Sequence, residues 1–528
     1  MCGIAGYINL NRAPASENIL KKMTNSIAHR GPDGEGFYVK GEVAIGHRRL
    51  SVIDLSDSGR QPMVSTNGRY ILSYNGELYN FKEIRRRLRS LGYYFYSETD
   101  SEVVLNSFIE WGEKSLEEFN GMFAFAIWDQ QEKKLFMARD RYGIKPLYYI
   151  QNKNVFSFAS ENKAFYAANL LKKEIDKKGL LEYMTFQNFL SDRTLFEGVK
   201  MFPAGHFAYL DLNTKQMKLS QYWDFNFQEP RENILSQNEY VEQLDYLIQQ
   251  AVNRQLISDV EIGSYLSGGM DSGSLTALAA RQLPYIKTFT VGFDMSSASG
   301  LELSYDERAK AEHMSYLFKT EHYEMVLKSG DMERCMTDLI YHLEEPRVGQ
   351  SYPNYYAAKL ASKFTKVVLS GAGGDEIFAG YPWRYYRSVG HTNFESYVDE
   401  YYKYWQRLMP NSTIKEVFSP VWGDIKDEWT RDSFRNVYLN HNNSLDSPED
   451  YINHSLYFEA KTFLHGLLVV EDKLSMAHSL ESRVPFLDND LVDFSMTIPL
   501  KYKLSNLGEV IRVNENDIGG KKRNFLLS

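Results

Sequence analysis

Along the first two hundred residues, apolar positions come in short runs of strand length. They lie at Gly3–Ile8, Val43–Ile45, Tyr70–Tyr74, Met122–Trp128, Leu135–Ala138, Leu147–Ile150 and Phe156–Ala159. Such runs, continuous or alternating, predict β-strands. Turn signals separate them: Gly31-Pro32-Asp33-Gly34, Asn67-Gly68 and Asn75-Gly76. Helical spacing shows at Glu83–Leu91 and Glu102–Trp111. The pattern predicts a strand-dominated first domain over residues 2–210. Trp223–Gln237 is polar and carries one proline, which places a linker within 211–237. Beyond it the pattern changes. Helices are predicted at Tyr240–Leu256, Leu275–Leu283, Asp306–Lys319 and Tyr355–Phe364. Strands are predicted at Ile262–Leu266, Lys287–Phe293, Tyr323–Leu327 and Lys366–Leu369. Regular alternation of this kind predicts a doubly wound parallel sheet in a second domain, 238–528. Residues 384–460 are aromatic, charged and mostly helical in pattern, and no internal repeat or low-complexity tract is found.

Composition narrows the class. The 528 residues suffice for two to four domains at about 100–200 residues each. Apolar residues make up 43% and charged residues 24%, so disorder is excluded as the main state. The net charge of −9 argues against a nucleic-acid partner. The start lacks the basic lead and apolar stretch of a signal peptide. No run reaches the ~18 apolar residues of a membrane helix, so the chain reads as cytoplasmic, with no membrane partner. Two cysteines, Cys2 and Cys335, cannot form a disulfide framework. Cys335 sits at helical spacing among apolar neighbours and is assigned to the core. The eleven histidines show no metal-ligand spacing.

Cys2 carries the first chemistry. Removal of Met1 leaves it with nucleophile and base together, because its α-amine titrates near ~7.7–8.0 and can accept the thiol proton. Gly46-His47-Arg48-Arg49-Leu50 offers a guanidinium for a carboxylate. The Asn75 amide and the Gly76 N–H are the two donors an oxyanion hole needs. Glu98-Thr99-Asp100 places a carboxylate where an α-ammonium can be read. The signatures MCGIAGY, RGPDG, HRRLSVIDL and SYNGELYN resemble the class II glutamine amidotransferase domain. The resemblance implies that Cys2 attacks the glutamine amide, with Asn75 and Gly76 at the oxyanion. Arg49 is then at the α-carboxylate, Glu77 and Asp100 are at the α-amine, and ammonia is the product.

The second chemistry begins at Ser267-Gly268-Gly269-Met270-Asp271-Ser272, which follows a strand and opens a helix. Small residues there let backbone amides close on phosphate oxygens, and Asp271 can hold Mg²⁺. The loop resembles the PP-loop of ATP pyrophosphatases. Val291-Gly292-Phe293 ends the next strand with a backbone edge suited to adenine. A second glycine turn, Ser370-Gly371-Ala372-Gly373-Gly374-Asp375-Glu376, belongs at the same sheet edge, where Asp375 partners Asp271 on the metal. A third motif runs from Ser475 to Asp488.

Taken in order, the two halves are similar to the glutamine-hydrolysing asparagine synthetase family over nearly the whole chain. The resemblance implies an α+β N-terminal nucleophile sandwich followed by an α/β doubly wound, ATP pyrophosphatase-like domain. It implies ATP and Mg²⁺ as cofactors, glutamine and aspartate as substrates, and a homodimer as an option. Aspartate is adenylated, and ammonia crosses an internal tunnel to displace AMP. Leu266, Ser267, Gly268, Gly269, Asp271, Ser272, Val291, Gly292, Ser370 and Gly371 fall at the ATP site, with Asp271 and Asp375 at the metal. Glu345-Pro346 and Ser351 fall at the amino-acid pocket.

Two departures stand out. Asparagine-forming members usually carry Glu where this chain has Ala372, which points to another acceptor carboxylate, such as a sugar precursor, as an alternative. Only 40 residues follow Asp488, fewer than the family pattern, and the tail Gly519–Ser528 stops before the family's basic loop. That length raises a second alternative, a glutaminase or regulatory module with an inert synthetase half. Lys473 is a candidate substitute for the missing cation, set against a solvated helix lysine.

Overall fold

A computed structural model describes residues 2–230, 232, 234–296, 306–348, 351–385, 391, 393–441 and 445–504. The tail from Gly519 therefore lies outside the described residues. The N-terminal part contains two six-stranded antiparallel sheets. The first has the order Lys200–Met201, Tyr148–Gln151, Val155–Ala159, Gly3–Asn9, Val43–Arg49, Gly34–Lys40. The second has the order Gln216–Gln221, His206–Asp211, Lys134–Arg139, Gly121–Asp129, Tyr70–Leu78, Met63–Val64.

Side-chain alternation sets the layers. Along Gly121–Asp129, Ala124, Ala126 and Trp128 enter the core between the sheets. Phe123, Phe125 and Ile127 enter the opposite core, beneath helices Phe81–Ser90 and Asp100–Trp111. In Gly3–Asn9, Ile4 and Ile8 face the second sheet, while Ala5 and Tyr7 meet Leu20 and Met23 of helix Glu17–Ser26. The result is a helix–sheet–sheet–helix sandwich. Both faces of the central strands are covered, which is why they read as unbroken apolar runs. Each fully buried large side chain contributes about 1.5–3 kcal/mol.

Two expectations are corrected. Asn75-Gly76 is not a turn: it lies inside the strand Tyr70–Leu78, with Gly76 opposite Phe123. A Cβ on Gly76 would come 2.3 Å from the Met122 carbonyl oxygen, so glycine serves close strand approach there. The polar stretch read as linker also begins inside the sandwich, because Gln216–Gln221 pairs with His206–Asp211. It is the exposed edge strand of its sheet, and an edge strand needs little apolar signal.

The second part opens with helix Gln237–Gln255, whose start is a capping box of Ser236 and Glu239. Five parallel strands follow in the order Glu321–Leu327, Lys287–Phe293, Ile262–Tyr265, Val367–Leu369, Glu481–Arg483. Ile262, Val367 and Leu369 face Leu247, Ala251, Leu275 and Ala279 of helices Gln237–Gln255 and Met270–Ala280. Phe289 and Val368 face Ala358 and Ala361 of helix Ser351–Ala361. Helices thus cover both faces, as in a doubly wound sheet. The largest core also takes in Leu50, Val52, Tyr79, Met122, Tyr142 and Ile144, so the two parts share packed interior. Cys335 is buried with Leu339 and Leu343, as expected. Among the described residues no helix is long and apolar enough to cross a membrane.

Candidate active sites

Cys2 precedes a strand paired on both edges, with Val43–Arg49 and Val155–Ala159, so its position is held by the sheet. Its backbone nitrogen, which becomes the α-amine once Met1 is gone, donates to Asn75 Oδ1 at 2.9 Å. Its Sγ lies 4.0 Å from the Leu50 carbonyl oxygen. Burial pushes the thiol up, so it needs a base to become a thiolate. The Arg30 Nε donates to the Cys2 carbonyl at 3.1 Å, fixing the backbone from the other side.

The other expected residues surround this point. Asn75 is fully buried, and its Nδ2 has no partner among the described residues, leaving one strong donor on the side chain that holds the Cys2 nitrogen. Gly76 follows it in the strand. The Arg49 guanidinium donates to the Ser56 carbonyl at 2.7 Å and to that of Asp54. No carboxylate pairs with Arg49 among the described residues. A Cβ on Gly59 would fall 2.1 Å from Arg49 Nη2, so that glycine makes room for the guanidinium. Asp100 accepts from Tyr74 Oη and Leu78 N, both at 2.9 Å. Glu77 is buried, and its Oε2 accepts no hydrogen bond among the described residues. Burial pushes both carboxyls up, with neighbouring Glu481 adding to it. Two buried carboxyls of this kind favour an incoming cation such as an α-ammonium.

The second site lies at the C-terminal edge of the parallel sheet. Strands Ile262–Tyr265 and Val367–Leu369 are neighbours, so their glycine turns meet. A cavity of about 570 Å³ opens there. Leu266, Ser267, Gly269, Asp271, Ser272, Val291, Ser370, Gly371 and Asp375 line it. Gly268 and Gly292 do not. Gly268 has a φ of +77°, and a Cβ there would meet Lys310, while a Cβ on Gly292 would meet the Arg308 side chain. They serve the turn and its packing. A Cβ on Gly374 would come 2.4 Å from Asp271 Oδ2, so a side chain there would displace that carboxylate. Asp271 is pushed up to about 6 by burial and by Asp375, and Asp375 is raised by burial.

Comparison with known proteins follows the same division. The glutamine amidotransferase domain family matches residues 1–223, and the asparagine synthase family matches residues 243–522. Asparagine synthetase [glutamine-hydrolyzing] 3 of Bacillus subtilis (strain 168) is 32% identical, over 96% of this chain and 82% of its own length. The chain belongs to the glutamine-hydrolysing asparagine synthetase family. Asparagine synthetase [glutamine-hydrolyzing] 1 of the same organism is also 32% identical, with 96% and 82% covered. A solved structure of glutamine phosphoribosylpyrophosphate amidotransferase from B. subtilis matches at 18% identity with a TM-score of 0.33, covering 53% of this chain and 64% of that one.

For a family member with two chemistries, the ground between the sites matters, and there sequence reasoning missed most. Arg30 is fully buried, with Nη1 2.9 Å from Glu161 and Nη2 2.8 Å from Asp472 of the second domain. Lys145 also reaches Asp472, at 3.5 Å. The third motif turns out to be a seam between the domains. Ser479 donates to the His29 carbonyl at 2.6 Å, Arg483 lies 3.8 Å from Glu77, and Asn120 donates to Asp488 at 3.0 Å. Arg483 also donates to Glu481 and to the carbonyls of Gln255 and Ile257, each at 2.7 Å. Buried pairs of this sort add little net stability, but losing one partner costs about 3–5 kcal/mol.

Three expectations near the second site are corrected. Lys473 is neither solvated nor at the phosphates: it is fully buried and bound to Glu344 at 2.6 Å and to the Leu343 carbonyl at 3.1 Å. Glu345 does not face the cavity, because its carboxylate is taken by Arg347 at 2.7 Å and Leu195 N at 2.8 Å. Ser351 does not line the cavity either. It begins the helix whose Pro353, Asn354 and Ala357 do. Glu307 and Glu471 are lining residues the sequence did not single out. Neither lies in a recognisable motif, and only the folded chain brings them to the sheet edge.

Proposed function

We propose that the chain makes asparagine from aspartate with ATP and glutamine, releasing AMP, pyrophosphate and glutamate. The reading rests on one observation above all. A cysteine–asparagine site and an aspartate-lined cavity occur in one chain, joined by a helix, His465–Met476, that touches both domains.

In the first site the Cys2 sulfur attacks the glutamine side-chain carbonyl as its proton passes to the α-amine. Asn75 Nδ2 receives the developing oxyanion. Collapse expels ammonia, and water then frees glutamate from the thioester. Arg49 holds the α-carboxylate, and Glu77 and Asp100 hold the α-ammonium. In the second site an aspartate β-carboxylate oxygen attacks the α-phosphorus of ATP and pyrophosphate leaves. Ammonia then attacks the acyl carbon and AMP departs.

Asp271 and Asp375 suit a divalent cation, because two raised carboxyls facing one cavity repel each other until a cation or proton joins them. Mg²⁺ held there would screen the phosphate charge. As pH falls towards about 6, a proton competes with the cation at Asp271.

The direct test is AMP release with ATP, Mg²⁺ and ammonium, with aspartate compared against sugar acids and other small carboxylates. Aspartate is expected to stimulate AMP release and the others are not. Absence of any aspartate-stimulated AMP would overturn the reading.

A further inference from the structure

When ammonia attacks an acyl adenylate, the nitrogen becomes cationic and must lose a proton before the amide is stable. A base is therefore needed beside the acyl carbon. The third position of the second glycine turn offers none, since Ala372 has no acceptor. Four carboxylates line the cavity: Asp271, Asp375, Glu307 and Glu471. Asp271 and Asp375 are neighbours, with the Asp375 backbone bonded to the Asp271 carboxylate. Glu307 is bonded to Ser267 of the phosphate loop. Glu471 comes from a different element, the helix His465–Met476.

Its surroundings are specific. Glu471 Oε1 accepts from Ser482 Oγ at 2.7 Å, and its carboxylate also bonds Ser370, which opens the second glycine turn. Tyr265 shares the cavity wall with it. The next residue, Asp472, is bound to Arg30 and Lys145 of the first domain. Arg30 in turn holds the Cys2 carbonyl. Of two consecutive residues of one helix, Glu471 thus lines the second site while Asp472 holds the arginine that binds the Cys2 carbonyl, and Lys145 of the first domain lies near Glu471. The titratable groups around it are Lys145, Asp472 and the neutral Tyr265 phenol. Burial raises its carboxyl despite the bonds from Ser482 and Ser370, which suits a proton acceptor.

We propose that Glu471 is the base that accepts the proton from ammonia in the amide-forming step. The ammonia lone pair forms the C–N bond, the C–O bond to AMP breaks, and AMP leaves with that electron pair. One N–H proton passes to a Glu471 oxygen. The assignment rests on the asparagine-forming reading above.

The test is Glu471→Gln in the full chain, with two half-reactions measured separately. Aspartate-dependent ATP–pyrophosphate exchange and the KM for aspartate are expected to stay within about threefold. Asparagine formation from ammonium is expected to fall by about 10²–10³-fold. Equal loss in both half-reactions would show a structural or substrate-binding role and overturn the assignment, as would full retention of amide formation. If the wild-type chain shows no aspartate-dependent exchange, the function reading itself falls and takes the assignment with it. Loss confined to neither or to both half-reactions, beside a working wild type, overturns Glu471 alone.

Discussion

Cys2→Ala is expected to abolish glutamine-dependent synthesis while ammonia-dependent synthesis continues within about twofold. Removing a covalent nucleophile typically costs on the order of 10⁴-fold or more. No neighbour can take over. The groups around Cys2 are amides, an arginine and carboxyls whose burial favours their neutral form. The substitution is small and the site is buried by strand pairing, so the stability loss stays near about 1 kcal/mol. The second domain is untouched, because its cavity is lined by no residue of the first. The check is to assay AMP and asparagine with glutamine and, separately, with ammonium. Glutamine-driven activity in the variant would refute the nucleophile assignment.

Asp271→Asn is expected to give the opposite pattern. Glutamine hydrolysis continues, while synthesis with either nitrogen source falls by about 10²–10³-fold, the usual scale for losing one preorganised electrostatic group. The geometry gives the reason. Asp271 sits at the start of helix Met270–Ala280, accepts a backbone bond from Asp375 and has Gly374 packed against it. Asparagine keeps the shape but leaves one carboxylate for the cation. Aspartate-dependent pyrophosphate exchange reads the loss directly. Together the two variants separate the chemistries, and neither pattern follows from a general loss of folding.

Much of this was legible in the chain. The inner strands of the parallel sheet are buried, so Ile262–Leu266 and Lys366–Leu369 stand out as short runs, and the glycine turns after them fall at the sheet edge where the cavity opens. The motifs around Cys2 singled out residues that the fold brings together, such as Cys2 and Asn75. What the sequence misled on has physical causes. Asn75-Gly76 reads as a turn, because local pattern cannot reveal that a facing strand excludes a Cβ. Gln216–Gln221 reads as linker, because an edge strand is half wet. Lys473 reads as a solvated helix lysine or a substitute cation, since its partner Glu344 lies far away in sequence, and the pairing of Arg30 with Asp472 gives no local signal for the same reason. Glu471 carries no motif at all. Long-range pairing decides each of these, and a single chain of letters does not encode it locally.

The central claim is that two sites in one chain hand over ammonia. The measurement that tests it most directly is nitrogen transfer from [amide-¹⁵N]glutamine in the presence of aspartate, ATP and unlabelled ammonium. ¹⁵N is expected in the asparagine amide of the wild-type product and only unlabelled nitrogen in the Cys2→Ala product. Asparagine from the wild-type chain that carries no ¹⁵N, or labelled asparagine from Cys2→Ala, would contradict it.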